Sequence, residues 1–344
     1  MGYMCMPTTN APKVTTDKLN RQHVAYPSSG PLYVVNRSDF HHRSTIAQHT
    51  ADLIEIMRHN SEVSNKKVLV LITDNGPDWS TRSLLNLLYY FRLWRSRNLD
   101  ALIVVSHCPK YSAYNPIEHA WSPCSQALVS VTLPDTIHNE SLPPSQQNMD
   151  WSSQQNKLAN VLDSAMLSLS NIFRTAAYDG YSIECNFKRC LDPTEIQIAQ
   201  KFTAEKLILK SAGSIRKNTA ICHEVISMMQ HIDRRIDAVI FKKCTAKSCK
   251  ECSGHFSSAL SFLRENKHFP DSIADPTNND HYCVFNDFIS GKVARPTIPD
   301  AGMGRFSALK AMLGWSCRCQ KCSYTYTSKT DKIKHISIMH RKTK

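Results

Sequence analysis

The sequence predicts an α/β fold, and the region between residues 68 and 105 carries that prediction. Residues 68–72 form a short β-branched and leucine run, which is typical of a buried strand, and residues 101–105 form a second one. Between the two runs, residues 81–95 place leucines and aromatic residues at helical spacing. Buried strands that alternate with helices favour an α/β sheet, so we expect one here.

One strand and one helix are predicted upstream of this region. Residues 32–37 have a strand pattern, and the apolar positions of residues 44–57 predict a helix with Ser44 or Thr45 as its N-cap. Residues 1–30 are rich in Pro, Thr, Ser and Asn, so we expect an irregular N-terminal segment there.

Two acidic residues follow the predicted strands. Asp74 comes directly after the first strand in the stretch TDNGPD, and Glu118 lies in YSAYNPIEHAW, where a new helix is predicted to start near His119. Sheets of this class place their chemistry at the carboxyl ends of strands. A structural role is also open, in which Asp74 closes a strand and Glu118 stabilises a helix N-terminus through the helix dipole.

The two stretches resemble the second and third acidic motifs of the RNase H-like transposases and integrases, and NPIE is similar to the motif of the Tc1/mariner-like branch. The resemblance covers roughly residues 31–130. It implies a partial RNase H-like (DDE-like) domain over residues 31–133. In that family three carboxylates hold two Mg²⁺ ions, and Asp74 and Glu118 would supply two of them.

The first acid of that family has no matching residue in this sequence. Neither Asp17 nor Asp39 lies in a first-acid motif. We therefore expect Asp74 and Glu118 to form a vestigial or incomplete site. We also expect the chain to begin inside the domain, either as a fragment of a longer product or as a decayed copy.

The composition changes after residue 133. Residues 134–156 are rich in Pro, Ser and Gln and are predicted to be a linker. Residues 157–243 are predicted to be mainly helical, with one helix over residues 157–177 and another that opens with Asp192 as cap and Pro193 at its first position. Within this region, residues 221–241 fit either a helix or a strand.

The C-terminal region carries four metal-ligand residues at a characteristic spacing. They are Cys319, Cys322, His335 and His340, in the order Cys-x2-Cys-x12-His-x4-His. Two cysteines on a tight hairpin and two histidines on a helix converge on a tetrahedral zinc ion. A unit this small has little core of its own, so the metal supplies its folding energy. The pattern is similar to the C2H2 zinc fingers and implies a finger with a basic tail over residues 315–344.

The finger resemblance also assigns roles to its other residues. Tyr326 occupies the aromatic core position, whereas Cys317 stands where an aromatic is usual and Lys332 where a leucine is usual, with Ile333 as an imperfect replacement. The finger helix is expected over residues 328–340. The positions that read bases in such fingers are Ser328, Thr330, Asp331 and Lys334.

A second group of cysteines predicts a Cys/His zinc-binding module over residues 244–290. Its candidate ligands are Cys244, Cys249, Cys252 and His255. Cys283 is an alternative ligand, and reduced, unliganded cysteines are the alternative to the whole module.

Charge and composition favour an acidic partner, DNA first. The formal net charge is +13, and between residue 301 and the end ten Lys or Arg accompany one acid. The candidate phosphate contacts are Lys329, Lys334, Arg341, Lys342 and Lys344. Thirteen cysteines, an odd number, argue against a disulfide framework. No apolar run approaches the ~20 residues that span a bilayer, and no signal peptide is expected.

Together these patterns predict a zinc-binding, transposon-derived, nucleic-acid-binding protein of the nucleus, without catalytic activity. Zinc is the expected metal, and Mg²⁺ only if the acidic site is active. Two alternatives stay open. One is an active Mg²⁺-dependent transposase or nuclease, if the chain is a fragment; the other is a zinc module that binds proteins.

Overall fold

The computed structural model shows a mixed α/β protein with two small mixed sheets. It describes residues 1–6, 13–16, 22–25, 29–38, 44–74, 76–106, 115–133, 151–234, 238–246, 248–252, 274–275, 278–282, 319–322, 324, 326 and 328–340. These residues divide into two compact units, and the chain crosses between them several times. None of the helices within the described ranges is both long and apolar enough to cross a membrane.

The first unit contains residues 1–65, 74–79 and 107–205. Its strands are β1 (Gly2–Met4), β2 (Lys13–Thr16), β3 (Gln22–Ala25), β4 (Leu32–Arg37), β7 (Ala177–Tyr178) and β8 (Tyr181–Lys188). Its helices are α1 (Ile46–His59), α2 (Ser61–Ser64), α4 (Pro116–Ala127), α5 (Trp151–Phe173) and most of α6 (Pro193–Ile208). The sheet order is β1-β4-β8-β7, in which only the central β4–β8 pair is parallel. β2 and β3 form a separate antiparallel pair.

Helices α4 and α5 cover one face of this sheet. Buried residues of β4 and β8 pack against residues of the two helices, and the cluster consists of Leu32, Val34, Ala120, Cys124, Phe173, Ile183 and Cys185. The start of β1 also lies close to α4, because a Cβ atom on Gly2 would meet the Trp121 ring at 2.6 Å. The apolar face of the sheet is therefore closed by close packing that needs a glycine at position 2.

A buried polar network joins the ends of β1, β4 and α6 to α1. Arg37 donates to both Asp52 (Nη1–Oδ2 2.7 Å) and Glu195 (Nε–Oε2 2.8 Å). The Tyr3 hydroxyl donates to Asp52 at 2.8 Å and lies 2.8 Å from His49 Nδ1. Both carboxylates lie within hydrogen-bond distance of the one guanidinium, so no ion of this network is buried alone.

The second unit contains residues 66–73, 80–106 and 206–344. Its strands are β5 (Val68–Thr73), β6 (Ala101–Ser106), β9 (Ile232–Arg234), β10 (Ala238–Lys242), β11 (Ala274–Asp275) and β12 (Asn278–Tyr282). Its helices are α3 (Leu84–Ser96), α7 (Ala212–Lys217), α8 (Thr219–His231) and α9 (Lys329–Met339), with a 3-10 turn at Lys250–Cys252. The sheet order is β5-β6-β10-β9, where β5 and β6 are parallel and the other pairs antiparallel.

Helix α3 supplies the apolar core of the second unit. Leu87, Leu88, Phe91 and Trp94 are buried as their spacing predicts. The Phe91 ring lies 6.2 Å from that of Phe241 on β10. Ion pairs from Arg92 and Arg95 of α3 to Glu224 (2.6 and 2.9 Å) attach α8 to the same helix.

Most locally encoded elements match the prediction, and several others correct it. Helix α1 begins after Thr45, which forms a capping box with Gln48, and α6 begins at Pro193 with Asp192 accepting from two backbone amides. The N-terminal segment predicted to be irregular contains three strands. The predicted buried strand at residues 68–72 is half open, because Val70 and Ile72 on the edge strand β5 are 49% and 44% exposed.

The predicted domain boundaries do not follow the two units. Residues 31–133 contribute to both units, since β5, α3 and β6 belong to the second and the rest to the first. The predicted helical region 157–243 also contains β7 to β10, and α5 begins at Trp151 inside the predicted linker. Residues 134–150 of that linker lie outside the described residues.

Candidate metal centres

The four predicted finger ligands converge on one point. Cys319, Cys322, His335 and His340 each direct one ligand atom into a group whose members all lie within 4.8 Å of one another. Cys319 Sγ lies 3.2 Å from His340 Nε2, and Cys322 Sγ lies 3.4 Å from His335 Nε2. This cluster, which we call the finger centre, could hold a metal ion.

Local hydrogen bonds place the ligands of the finger centre. The Cys319 amide donates to the Tyr324 carbonyl at 2.9 Å and closes the turn that carries both cysteines. Ser328 caps α9 by accepting from the Asp331 amide at 3.0 Å. His335 lies on the buried side of α9, and His340 is its C-cap residue. The helix therefore begins and ends where the spacing predicts.

The surroundings favour ligand forms of His335 and Cys319. Burial and, after it, the nearby His340 lower the pKa of His335 to about 4, so its imidazole is neutral near pH 7. Burial alone would raise the pKa of Cys319, but hydrogen bonds from Tyr326 and from the Lys321 amide outweigh burial and lower it. A thiolate and a neutral imidazole are the forms that bind metal.

Two tyrosines form the core of the finger. Tyr324 stacks on His335 with ring centroids 4.4 Å apart, and Tyr326 meets the same ring edge-on at 5.5 Å. Lys332 stands where a leucine was expected, and its ammonium lies 5.7 Å above the Tyr326 ring. Ile333 is 67% exposed and does not replace the leucine. Cys317 lies outside the described residues.

The finger helix contacts its own unit through the face predicted to read bases. Arg234, which is 1% exposed, donates to Asp331 Oδ2 at 2.7 Å and to the Tyr324 hydroxyl at 2.6 Å. Lys334 donates its ammonium to the Leu209 carbonyl at 2.8 Å. Burial lowers the pKa of Lys334, and the Asp331 carboxylate partly offsets this. Two of the four base-reading positions, Asp331 and Lys334, are therefore bonded to residues outside the finger.

The remaining predicted phosphate contacts are only partly described. Lys329 is exposed in the first turn of α9. Arg341, Lys342 and Lys344 lie outside the described residues.

A second cluster forms around the other cysteines, with a ligand that the sequence reasoning missed. Cys244, Cys249 and Cys252 meet His231 of α8, and the four ligand atoms all lie within 4.8 Å of one another. This cluster, which we call the second centre, could hold a metal ion. The predicted ligand His255 and its alternative Cys283 lie outside the described residues.

His231 could have been suspected from the sequence. The amphipathic pattern of α8 ends at this histidine, 13 residues before Cys244. Three cysteines without a clear partner call for a nearby imidazole, and His223 and His231 are the upstream candidates. The choice between the two depends on the antiparallel pairing of β9 with β10, which brings the chain back to His231.

The two acids of the transposase-like motifs lie on the surface. Asp74 accepts a hydrogen bond from the Gly76 amide at 3.0 Å, and Glu118 lies in the first turn of α4 after the N-cap Asn115. Both acids are exposed. Across the described part of the chain, neither belongs to a group of three or more residues that could hold a metal ion. Asn75 and residues 107–114, which complete the two motifs, are not described.

The arrangement therefore offers two closely grouped Cys/His sets within one unit and two exposed carboxylates outside any such set. Both sets combine thiols with imidazole, a ligand combination suited to a borderline-soft metal ion. Comparison of the chain with protein-family models, with curated proteins and with solved structures gives no match.

Proposed function

We propose that this chain is a zinc-binding protein of the nucleus that contacts DNA through basic residues around its C-terminal finger. The observation that carries the proposal is the convergence of two thiols and two imidazoles within 4.8 Å at the finger centre. A Cys2His2 set suits Zn²⁺, because zinc prefers four tetrahedral sulfur and nitrogen ligands. Four protein ligands leave no open coordination position, so the ion has a structural role.

Metal content tests the first half of the proposal. The purified chain should contain zinc, counted as ions per molecule by native mass spectrometry. His335→Ala and Cys322→Ser should each lower that count by one. Lys332→Ala, a change beside the finger centre that removes no ligand, is the matched control and should keep the ion. Equal zinc content in the ligand variants and the control would refute a finger metal site.

Positive charge supports contact with DNA. The chain carries +13, and ten of the last 44 residues are Lys or Arg with one acid. Each phosphate contact releases counterions, so affinity should fall with salt by about 0.9 log units per contact for each tenfold rise in concentration. Neutralising Arg341, Lys342 and Lys344 together should flatten the slope of log affinity against log salt concentration by roughly two to three units.

Three exposed lysines elsewhere provide a matched control. Lys201, Lys206 and Lys210 lie on or just after α6 and carry the same total charge. Their replacement by Gln should leave the slope near the wild-type value. If both triple variants flatten the slope equally, contact is spread over the surface and is not centred on the finger.

A role in binding protein is a second candidate, and the contacts of α9 favour it. Asp331 and Lys334 are bonded to Arg234 and to the Leu209 carbonyl of the same chain, so two positions that would read bases are already occupied by the fold. A finger used in this way would show zinc binding without salt-dependent DNA affinity. The DNA titrations described above separate the two candidates.

We further infer descent from an RNase H-like transposase without retained catalysis. The resemblance of the motifs around Asp74 and Glu118 supports descent, and the parallel β5–β6 pair joined through α3 suits such a fold. The sequence has no first-acid motif, so Asp74 and Glu118 would leave a two-metal site one carboxylate short, which is the ground for inactivity. Mg²⁺- or Mn²⁺-dependent DNA cleavage that is lost in Asp74→Asn would refute the inference of inactivity.

A further inference from the structure

We propose that His231, Cys244, Cys249 and Cys252 form a second zinc centre, with three thiolates and one imidazole as ligands. This set differs from the ligands expected from sequence, because His231 takes the place assigned to His255. It shares no ligand with the finger centre, so the inference stands whether or not the finger binds DNA.

The orientation of His231 is that of a metal ligand. Its Nδ1 lies 2.7 Å from the Ser227 carbonyl oxygen. A carbonyl can only accept, so Nδ1 carries a proton, and this leaves Nε2 as the nitrogen that can offer a lone pair to a metal. That Nε2 lies 3.2 Å from the sulfur of Cys249. Metal-binding histidines are commonly fixed by such a bond from their other nitrogen.

Aromatic side chains pack around the imidazole. His231 is buried, with its ring 5.3 Å from the Trp94 ring and 6.4 Å from the Phe91 ring. Both aromatic residues belong to the core face of α3. A ligand held in this way loses little conformational freedom when an ion binds.

The cysteines have the local structure of a metal knuckle. The 3-10 turn Lys250–Cys252 directly follows Cys249 and ends at Cys252. The Cys244 amide donates to Cys252 Sγ at 3.1 Å. Three thiolates around Zn²⁺ leave one formal negative charge. Lys250 lies in the turn itself and provides nearby positive charge.

The topology indicates which elements a bound ion would connect. His231 directly precedes β9 and Cys244 follows the end of β10, and these two strands pair with Ile232 opposite Phe241. The two ligands therefore come from the open end of a hairpin. An ion there would join α8, the hairpin and the turn that follows it, and four protein ligands would leave no position for a substrate.

Zinc counts on the full chain test the proposal. The wild type should bind two ions, and His231→Ala or Cys249→Ser should bind one, as should His335→Ala at the finger centre. Combining His231→Ala with His335→Ala should leave none. His223→Ala is the matched control, because His223 is exposed on the same helix α8, and it should keep two.

Cobalt spectra guard against variants that merely misfold. His231→Cys should still bind two Co²⁺ ions, because a thiolate can replace the imidazole, and its sulfur-to-cobalt absorption should rise by that of one added thiolate. Two ions retained in His231→Ala would overturn the proposal, as would an unchanged spectrum in His231→Cys. One ion in the wild type, lost in His335→Ala but kept in His231→Ala, would overturn it while leaving the finger centre intact.

Discussion

Arg234 holds the finger helix against the second unit, and its replacement by methionine should release that helix. The guanidinium donates from Nη1 to Asp331 and Tyr324, and from Nη2 to the carbonyls of Thr81 (3.1 Å) and Arg82 (3.0 Å). Methionine keeps much of the side-chain volume but removes every donor. The Asp331 carboxylate and both carbonyls then lose their bonds to the guanidinium.

The size of the effect follows from burial. The Arg234 side chain is 1% exposed and that of Asp331 is 13% exposed, so solvent replaces little of what is lost. Removing one partner of a buried ion pair costs ~3–5 kcal/mol. Asp331 keeps the bond from the Tyr324 hydroxyl at 2.9 Å, which places the expected loss near the lower end, about 3 kcal/mol. A domain is stable by only ~5–15 kcal/mol, so the change should be large.

Hydrogen exchange of α9 in the zinc-loaded chain is the direct assay. Exchange across Lys329–Met339 should quicken by roughly two orders of magnitude, in line with a loss of about 3 kcal/mol. Arg216→Met is the matched control: Arg216 bonds Ser337 of the same helix at an exposed position, where a change of about 0.5 kcal/mol or less is expected. In a double-mutant cycle, Arg234→Met and Asp331→Asn should be strongly non-additive. Additive effects, or unchanged exchange in Arg234→Met, would refute the reasoning.

Three further predictions concern single side chains. Lys334→Met should lower the free energy of unfolding without flattening the salt dependence of DNA affinity, because the Lys334 ammonium is bonded to a backbone carbonyl. Lys329→Met removes an exposed charge and should flatten the log–log slope of affinity against salt by about 0.9. DNA titrations of both variants at several salt concentrations test the difference. Burial would raise the pKa of Asp78, but the hydrogen bond and charge of His49 (2.9 Å) outweigh it and lower that pKa. A lowered pKa stabilises the fold above the pKa of the unfolded carboxyl, so the deficit of Asp78→Asn in urea unfolding should shrink as pH falls through the folded pKa. Gly2→Ala should cost about 1–3 kcal/mol in the same assay, because its methyl group would meet an indole ring.

Local chemistry explains why much of the fold could be predicted. Thr45, Asp192 and Ser328 cap their helices through hydrogen bonds to residues two or three positions away, so short sequence windows contain the whole interaction. The strand β8 carried a readable signal of the same kind, because Ile183 and Cys185 are buried at a period of two. Its parallel pairing with β4 joins residues about 150 positions apart, and no local pattern specifies such a partner.

The same distinction separates the two metal centres. The finger ligands lie on one hairpin and one helix, so their spacing alone predicted that they converge. The second centre takes His231 from the end of a helix and its cysteines from beyond a hairpin, and only the pairing of β9 with β10 brings them together. The docking of Asp331 on Arg234 was equally hidden, since 97 positions separate them.

A short strand links the second centre to the finger. His231 directly precedes β9, and β9 ends at Arg234, which holds Asp331 of α9. An ion at His231 would fix one end of β9 and so favour the position in which Arg234 meets the finger. Free-energy coupling between two sites is reciprocal, so metal at the finger should strengthen binding at His231 by the same factor. Cys249→Ser should therefore weaken zinc binding at the finger, and His335→Ala should weaken it at the second centre, by equal factors in chelator competition. Arg234→Met should reduce both effects, because it removes this link while leaving all eight ligands in place; coupling of unchanged strength in that variant would mean that the two centres communicate by another route.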